Sequence, residues 1–210
     1  MSEGIQDVYK KVEAFKRKYY LNLFLRGSIL TLTFIFVYFL LASLLEYNLW
    51  LGKGARFFIF ASFFALISFC LYQFLKAPIA WWIYKKGLGQ EDSAKLIGKH
   101  FPGVGDRLLN VLQLASTSTS ALVEAGIFQK ANSFKQVSFE AAIDLKQNSK
   151  YLKYFGVAAA AILILLIVNK QIFTLSTQRI VQFNQEFSPE APFKFNDALS
   201  AKRKDLFIND

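Results

Sequence analysis

The chain is poor in the residues that most metal and nucleophile chemistry requires. Its 210 residues include one histidine, His100, and one cysteine, Cys70. A single cysteine excludes an internal disulfide and a cysteine-cluster metal site. A lone histidine has no second His or Cys with which to share zinc. The phosphate-binding signatures are also missing. Gly98-Lys99 is followed by His100 rather than Ser or Thr, and no glycine stands five residues before Gly98, so there is no Walker loop. The pair Gly103 and Gly105 lacks the third glycine and the preceding strand of a dinucleotide loop. No Gly-x-Ser-x-Gly elbow occurs. No Asp, Glu, Lys or Arg falls at mid-depth of the apolar runs, where a proton or ion carrier needs one. We therefore expect no catalytic residue, no cofactor and no metal, and a protein that is not an enzyme.

Acidic residues are also scarce, 15 against 25 Lys and Arg, for a formal charge of +10. A basic balance points either to nucleic acid or to an anionic membrane face. What is abundant decides between them. The chain is 54% hydrophobic and 17% aromatic, with mean hydropathy +0.30, and the excess is concentrated in three runs. Gly27–Tyr47 has no charge before Glu46 and is long enough to cross a core of about 30 Å. Phe57–Leu75 has no charge at all. Tyr154–Val168 is shorter and needs its flanking Lys153 and Lys170 to snorkel. The first run is too long for a signal-peptide core and no small-residue cleavage site follows it, so it reads as an uncleaved anchor.

Basic residues near span ends orient such a hairpin. Residues 1–26 and 76–153 together carry 17 of the 25 Lys and Arg, which places both on the cytoplasmic side and residues 48–55 and 169–210 outside. This accounts for the charge through anionic lipid, at about 1 kcal/mol per juxtamembrane base, and argues against nucleic acid as a partner.

Within 1–26, Val8, Val12, Phe15 and Tyr19 make one apolar stripe. It suggests an amphipathic helix over Val8–Leu25 lying on the bilayer surface or on a partner. Pro78 suits a new first turn or a kink. Trp81, Trp82 and Tyr84 beside Lys85 and Lys86 match an aromatic belt with basic membrane-interface anchors. Residues 76–153 read as a small helical module. One helix runs from Asp92 or Ser93 to Lys99. A second starts at a capping Asp106 with a face of Leu108, Val111, Leu112 and Ala115. A polar linker, Ser116–Ser120, precedes a third. That third helix carries Ile127, Ala131, Phe134, Ser138, Ala141 and Leu145 at near-heptad spacing, a candidate seam for self-association, and runs on into span three. The stretch GKHFPGVGDRLLN then reads as a corner, with His100, Asp106 and Arg107 as candidate partner-docking residues. Beyond span three, Pro189, Pro192, Phe193 and Phe195 suggest an extended lead-in to a β-rich domain.

The segment LIGKHFPGVGDRLLNVLQL, with two spans and WWIYKKGLGQEDSAK before it and a third span after, resembles the N-terminal membrane region of a family of large, uncharacterised Bacteroidota inner-membrane proteins that carry a domain of unknown function. The resemblance implies a longer protein with an immunoglobulin-like region outside the membrane, and it brings no catalytic residue. Our expectation is an all-α membrane protein. It has three transmembrane helices (27–47, 57–75, 154–168), a helical cytoplasmic module (76–153) and the start of a β-rich periplasmic domain (169–210). It would serve as an inner-membrane scaffold contacting the lipid bilayer and other envelope proteins. The rival readings are an accessory subunit of a transporter or membrane enzyme, and a transmembrane signalling protein.

Overall fold

A computed structural model describes residues 3–117, 133, 134 and 136–187. Its first element, α1 (Glu3–Leu49), is one helix of 47 residues, about 70 Å long at 1.5 Å per residue. No proline occurs before Pro78, so nothing in the chain forces a break between the basic leader and the first apolar run. Then come α2 (Lys53–Cys70), a π-helical turn (Leu71–Leu75), α3 (Lys76–Tyr84), α4 (Gln90–His100) and α5 (Pro102–Thr117). Two 3-10 turns (Phe139–Ala142 and Leu145–Asn148) lead into α6 (Ser149–Val168), and α7 (Gln171–Val181) follows. No strand occurs among the described residues. Three helical stretches, Gly4–Leu49, Lys53–Tyr84 and Phe139–Val168, are long and apolar enough to cross a membrane, and the chain is a multi-pass membrane protein by that criterion.

The hairpin of α1 and α2 is fastened at mid-length by Tyr38, whose hydroxyl donates to the Ile59 carbonyl at 2.7 Å. Pro78 does not start a separate helix here. It lacks the N–H that would reach the Phe74 carbonyl four residues back, and the preceding turn widens to π-helical geometry, the usual accommodation of such a misfit. Gly27 of α1 packs against that freed oxygen: a Cβ at Gly27 would stand 2.7 Å from it. Helix α6 lies along α1 with Phe155 against Phe36 at 5.1 Å.

At the basic end of α1 a separate core forms. Ile5, Val8, Val12 and Phe15 are buried with Ala94 and Ile97 of α4, Leu108, Val111 and Leu112 of α5, and Phe134 and Phe139. The leader's apolar stripe therefore does not lie on a bilayer surface; it completes the helical module. This follows from length, since α4 and α5, at 11 and 16 residues, present apolar faces that two short helices alone cannot cover. Lys11 reinforces the join by donating to the Phe134 carbonyl at 2.8 Å, and Lys18 donates to the Glu140 carbonyl at 2.8 Å.

Three further expectations change. Asp106 does not cap α5, because the helix begins four residues earlier at Pro102, whose fixed φ and missing N–H suit a first helical position. Gly103 and Gly105 are inside the helix, and no glycine among the described residues has positive φ. The glycine that matters is Gly105, which crosses α4 at Gly98; a Cβ on Gly105 would lie 2.6 Å from the Gly98 Cα. A third helix continuous with span three is also absent. Ser138 and Asp144 adopt extended backbone, and the Asp144 carboxylate accepts from the Lys146 N–H at 2.9 Å, starting a new turn. Of the seam positions, Phe134 is buried in the module core, while Ile127 and Ala131 fall outside the described residues. Directly after span three, the described residues form a helix that was not anticipated, α7. Ile172, Phe173, Ser176 and Arg179 form the buried face of α7, with Phe173 stacked on Phe39 of α1 at 5.3 Å. Phe193 and Phe195, and with them the expected β lead-in, lie outside the described residues.

Gly105→Ala should lower the melting temperature of the detergent-solubilised protein, at a cost of about 1–3 kcal/mol for overpacking a tight crossing. Gly103→Ala, whose added Cβ meets nothing within 4 Å, should leave it unchanged or slightly raised.

Candidate functional site

The corner residues are solvent-facing and are not assembled into a site. His100 ends α4 and its ring meets Phe101 edge-on at 4.7 Å. Asp106 and Arg107 are exposed on α5. Among the described residues none of the three makes a hydrogen bond or ion pair with another.

The interface anchors divide into two kinds. Trp81 is buried, 7% exposed, and stacks on Tyr20 of α1 at 4.8 Å with an interplanar angle of 11°. The Tyr20 hydroxyl then accepts from the Leu88 N–H at 2.7 Å, and a Cβ at Gly87 would overlap that hydroxyl. Trp81 is thus a packing residue that joins α3 to α1. Trp82, against Phe24 at 4.9 Å, and Tyr84 are exposed, as belt residues are. Lys85 closes α3 in the left-handed region at φ 54°, and its ammonium lies over the Trp81 ring at 5.0 Å. Lys86 is exposed beside it.

The most unusual chemistry is at the opposite end, under α7. Glu46, 0% exposed, and Arg56, 2% exposed, form an ion pair at 2.9 Å. Arg56 also lies over the Phe187 ring at 5.0 Å. One turn of chain away Arg179 rests on the Trp50 ring at 3.5 Å, and Trp50 reaches that place through a left-handed backbone, φ 46°. The Ser176 hydroxyl donates to the Ser43 carbonyl at 3.0 Å, and Asn169 donates to the Tyr47 hydroxyl at 3.1 Å. Glu46 Oε2, Arg179 Nη1 and Ser43 Oγ are buried without a hydrogen-bond partner among the described residues. The arrangement joins the hairpin tip to the chain after span three by charged and polar contacts alongside ring contacts such as Phe183 on Phe57 at 5.3 Å.

The chain matches no protein-family model, no curated protein and no solved structure. Its functional assignment therefore rests on the geometry above.

None of Glu46, Arg56 and Arg179 was among the candidate site residues read from the sequence. A signal was present. Glu46 is the one charge within the first apolar run and Arg56 abuts the second, ten residues on, so a tight hairpin brings them together. Arg179 carried no such signal until α7 was in place. At the rim, Lys53 pairs with the exposed Glu186 at 2.9 Å. The Lys53 hydrogen bond, and then its charge, hold the Glu186 carboxyl below its usual range. A lowered carboxyl pKa stabilises above the ordinary value and the contribution disappears as pH falls through the lowered one, so this rim contact weakens only in acid.

Arg56→Met should destabilise the chain by about 3–5 kcal/mol, since it leaves the Glu46 carboxylate buried and unpaired. Replacing both, Glu46→Leu with Arg56→Met, should restore most of the loss. Thermal unfolding of the nanodisc-embedded protein distinguishes these outcomes, and a double-variant loss equal to the sum of the two single-variant losses would show that the pair is not coupled.

Proposed function

We propose that the chain is a non-catalytic anchor and scaffold of the bacterial inner membrane, with its N-terminus and helical module in the cytoplasm and the hairpin tip and C-terminal segment outside. The observation that carries this reading is the burial of Ile5, Val8, Val12 and Phe15 in the module core. The module is not tethered to the membrane by a linker. Its core includes the first four turns of the helix that becomes span one, so module and membrane helices are held as one piece. The concentration of Lys and Arg at that end supports the cytoplasmic assignment. The resemblance to the Bacteroidota family supports the envelope setting, with other envelope proteins as partners and His100, Asp106 and Arg107, exposed on the module, as docking residues.

The continuity of α1 from the module to the buried ion pair also favours a second reading, a transmembrane signalling protein, in which an event at the outer end alters the module. An accessory role to a transporter or membrane enzyme remains the third.

A mild-detergent pull-down should recover a reproducible envelope partner, and its recovery should fall with His100→Ala plus Arg107→Ala while the melting temperature stays constant. Recovery of no stable partner would count against the scaffold. For orientation, in a Cys70→Ala background, Ala55→Cys should react with a membrane-impermeant maleimide in intact cells and Lys99→Cys should not. The reverse pattern would overturn the topology.

A further inference from the structure

We infer that the groove between the leader half of α1 and α3 is a binding site for one phospholipid headgroup bearing both a phosphodiester and a primary ammonium. The inference rests on the membrane-spanning reading above. The groove encloses about 590 Å³ and is lined by the cations Lys10, Arg17 and Lys85 and the carboxylates Glu13 and Glu140. Among the described residues no two of these five charges form an ion pair. By contrast, the nearby Lys11 and Lys18 are engaged, donating to backbone carbonyls of the Phe134–Glu140 segment. Three cations against two carboxylates favour a ligand that itself carries both signs. A purely anionic headgroup would meet the carboxylates, and a bulky quaternary ammonium cannot donate hydrogen bonds to them.

The depth agrees. Trp81 and Trp82 line the same groove and stand six and seven residues beyond Leu75, where the second apolar run ends. That is about 9–10 Å along a helix, against a headgroup layer of about 5–8 Å on each side of the hydrocarbon core. The groove thus lies just outside that layer, where long Lys and Arg side chains reach back to the phosphates. Trp81 is fixed by Tyr20 and roofed by Lys85, while Trp82 and Ile83 are exposed beside it.

The test uses the full chain in nanodiscs of equal phosphatidylethanolamine, phosphatidylcholine and phosphatidylglycerol, with retained lipid counted by native mass spectrometry. Phosphatidylethanolamine should be enriched over the other two. Arg17→Gln should cut that enrichment about fivefold, the effect of one interfacial cation. Glu13→Gln with Glu140→Gln should move the preference to phosphatidylglycerol, a reversal that partial unfolding would not produce. Soluble phosphoethanolamine should not displace the lipid. A retained population matching the bulk mixture, enrichment of phosphatidylglycerol in the unsubstituted protein, or displacement by soluble phosphoethanolamine would each overturn the assignment. The maleimide pair at positions 55 and 99 reports insertion separately, so an inserted but unselective protein fails this inference alone.

Discussion

Every other described element depends on the unbroken hydrogen-bond ladder of α1. Helices α2, α3, α4, α6 and α7 all pack against it, and its successive faces serve different environments. The first four turns bury Ile5, Val8, Val12 and Phe15 in a water-side core, where the hydrophobic effect supplies the driving force. The middle carries aromatic and small side chains against α2 and α6, where lipid is as apolar as the protein and association rests on close packing and polar contacts such as Tyr38 to Ile59. The last turns hold Ser43 and Glu46, buried under α7. Three kinds of cohesion are thus strung along one backbone. A break in α1 would uncouple the two ends without necessarily unfolding either.

The ends are held by different means. The basic end closes on apolar contact and on the glycine crossing of α4 and α5. The hairpin end adds buried charge, Glu46, Arg56 and Arg179, to its ring contacts. Charges taken out of water gain little net stability over an apolar core of the same shape, but they penalise every arrangement that leaves one of them unpaired. The ion pair therefore selects a register for the hairpin. Slippage of α2 along α1 by one residue would rotate Arg56 by about 100° away from Glu46.

What could be read from the residues divides along the same line. The three spans were legible because long runs without charge admit few alternatives. The face Leu108, Val111, Leu112 was legible because its period is local. The leader stripe was legible as a stripe, but its partner was not, since amphipathicity says that a face is covered and not by what. The corner between two helices was legible, but the start of the second was misplaced: Pro102 and Gly103 look like punctuation, yet proline fits a first helical turn, and Gly105 is required by a neighbour seven residues away in sequence. Helix α7 was missed because its stripe, Ile172, Phe173 and Ser176, is interrupted by a buried arginine that local hydropathy counts as exposed. Residues 136–148 kept enough three- and four-residue spacing to resemble a helix, while Ser138 and Asp144 turned the backbone out of it.

The length of α1 has a mechanical consequence. A bar about 70 Å long, gripped near its middle by α2 and α6, behaves as a lever. A tilt of about 5° about that grip would carry each end roughly 3 Å sideways in opposite directions. That is comparable to the small helix displacements at interfaces that switching proteins convert into altered contacts. Bilayer thickness sets such tilts, so the position of the module relative to the hairpin end is tied to the thickness of the membrane in which the chain resides.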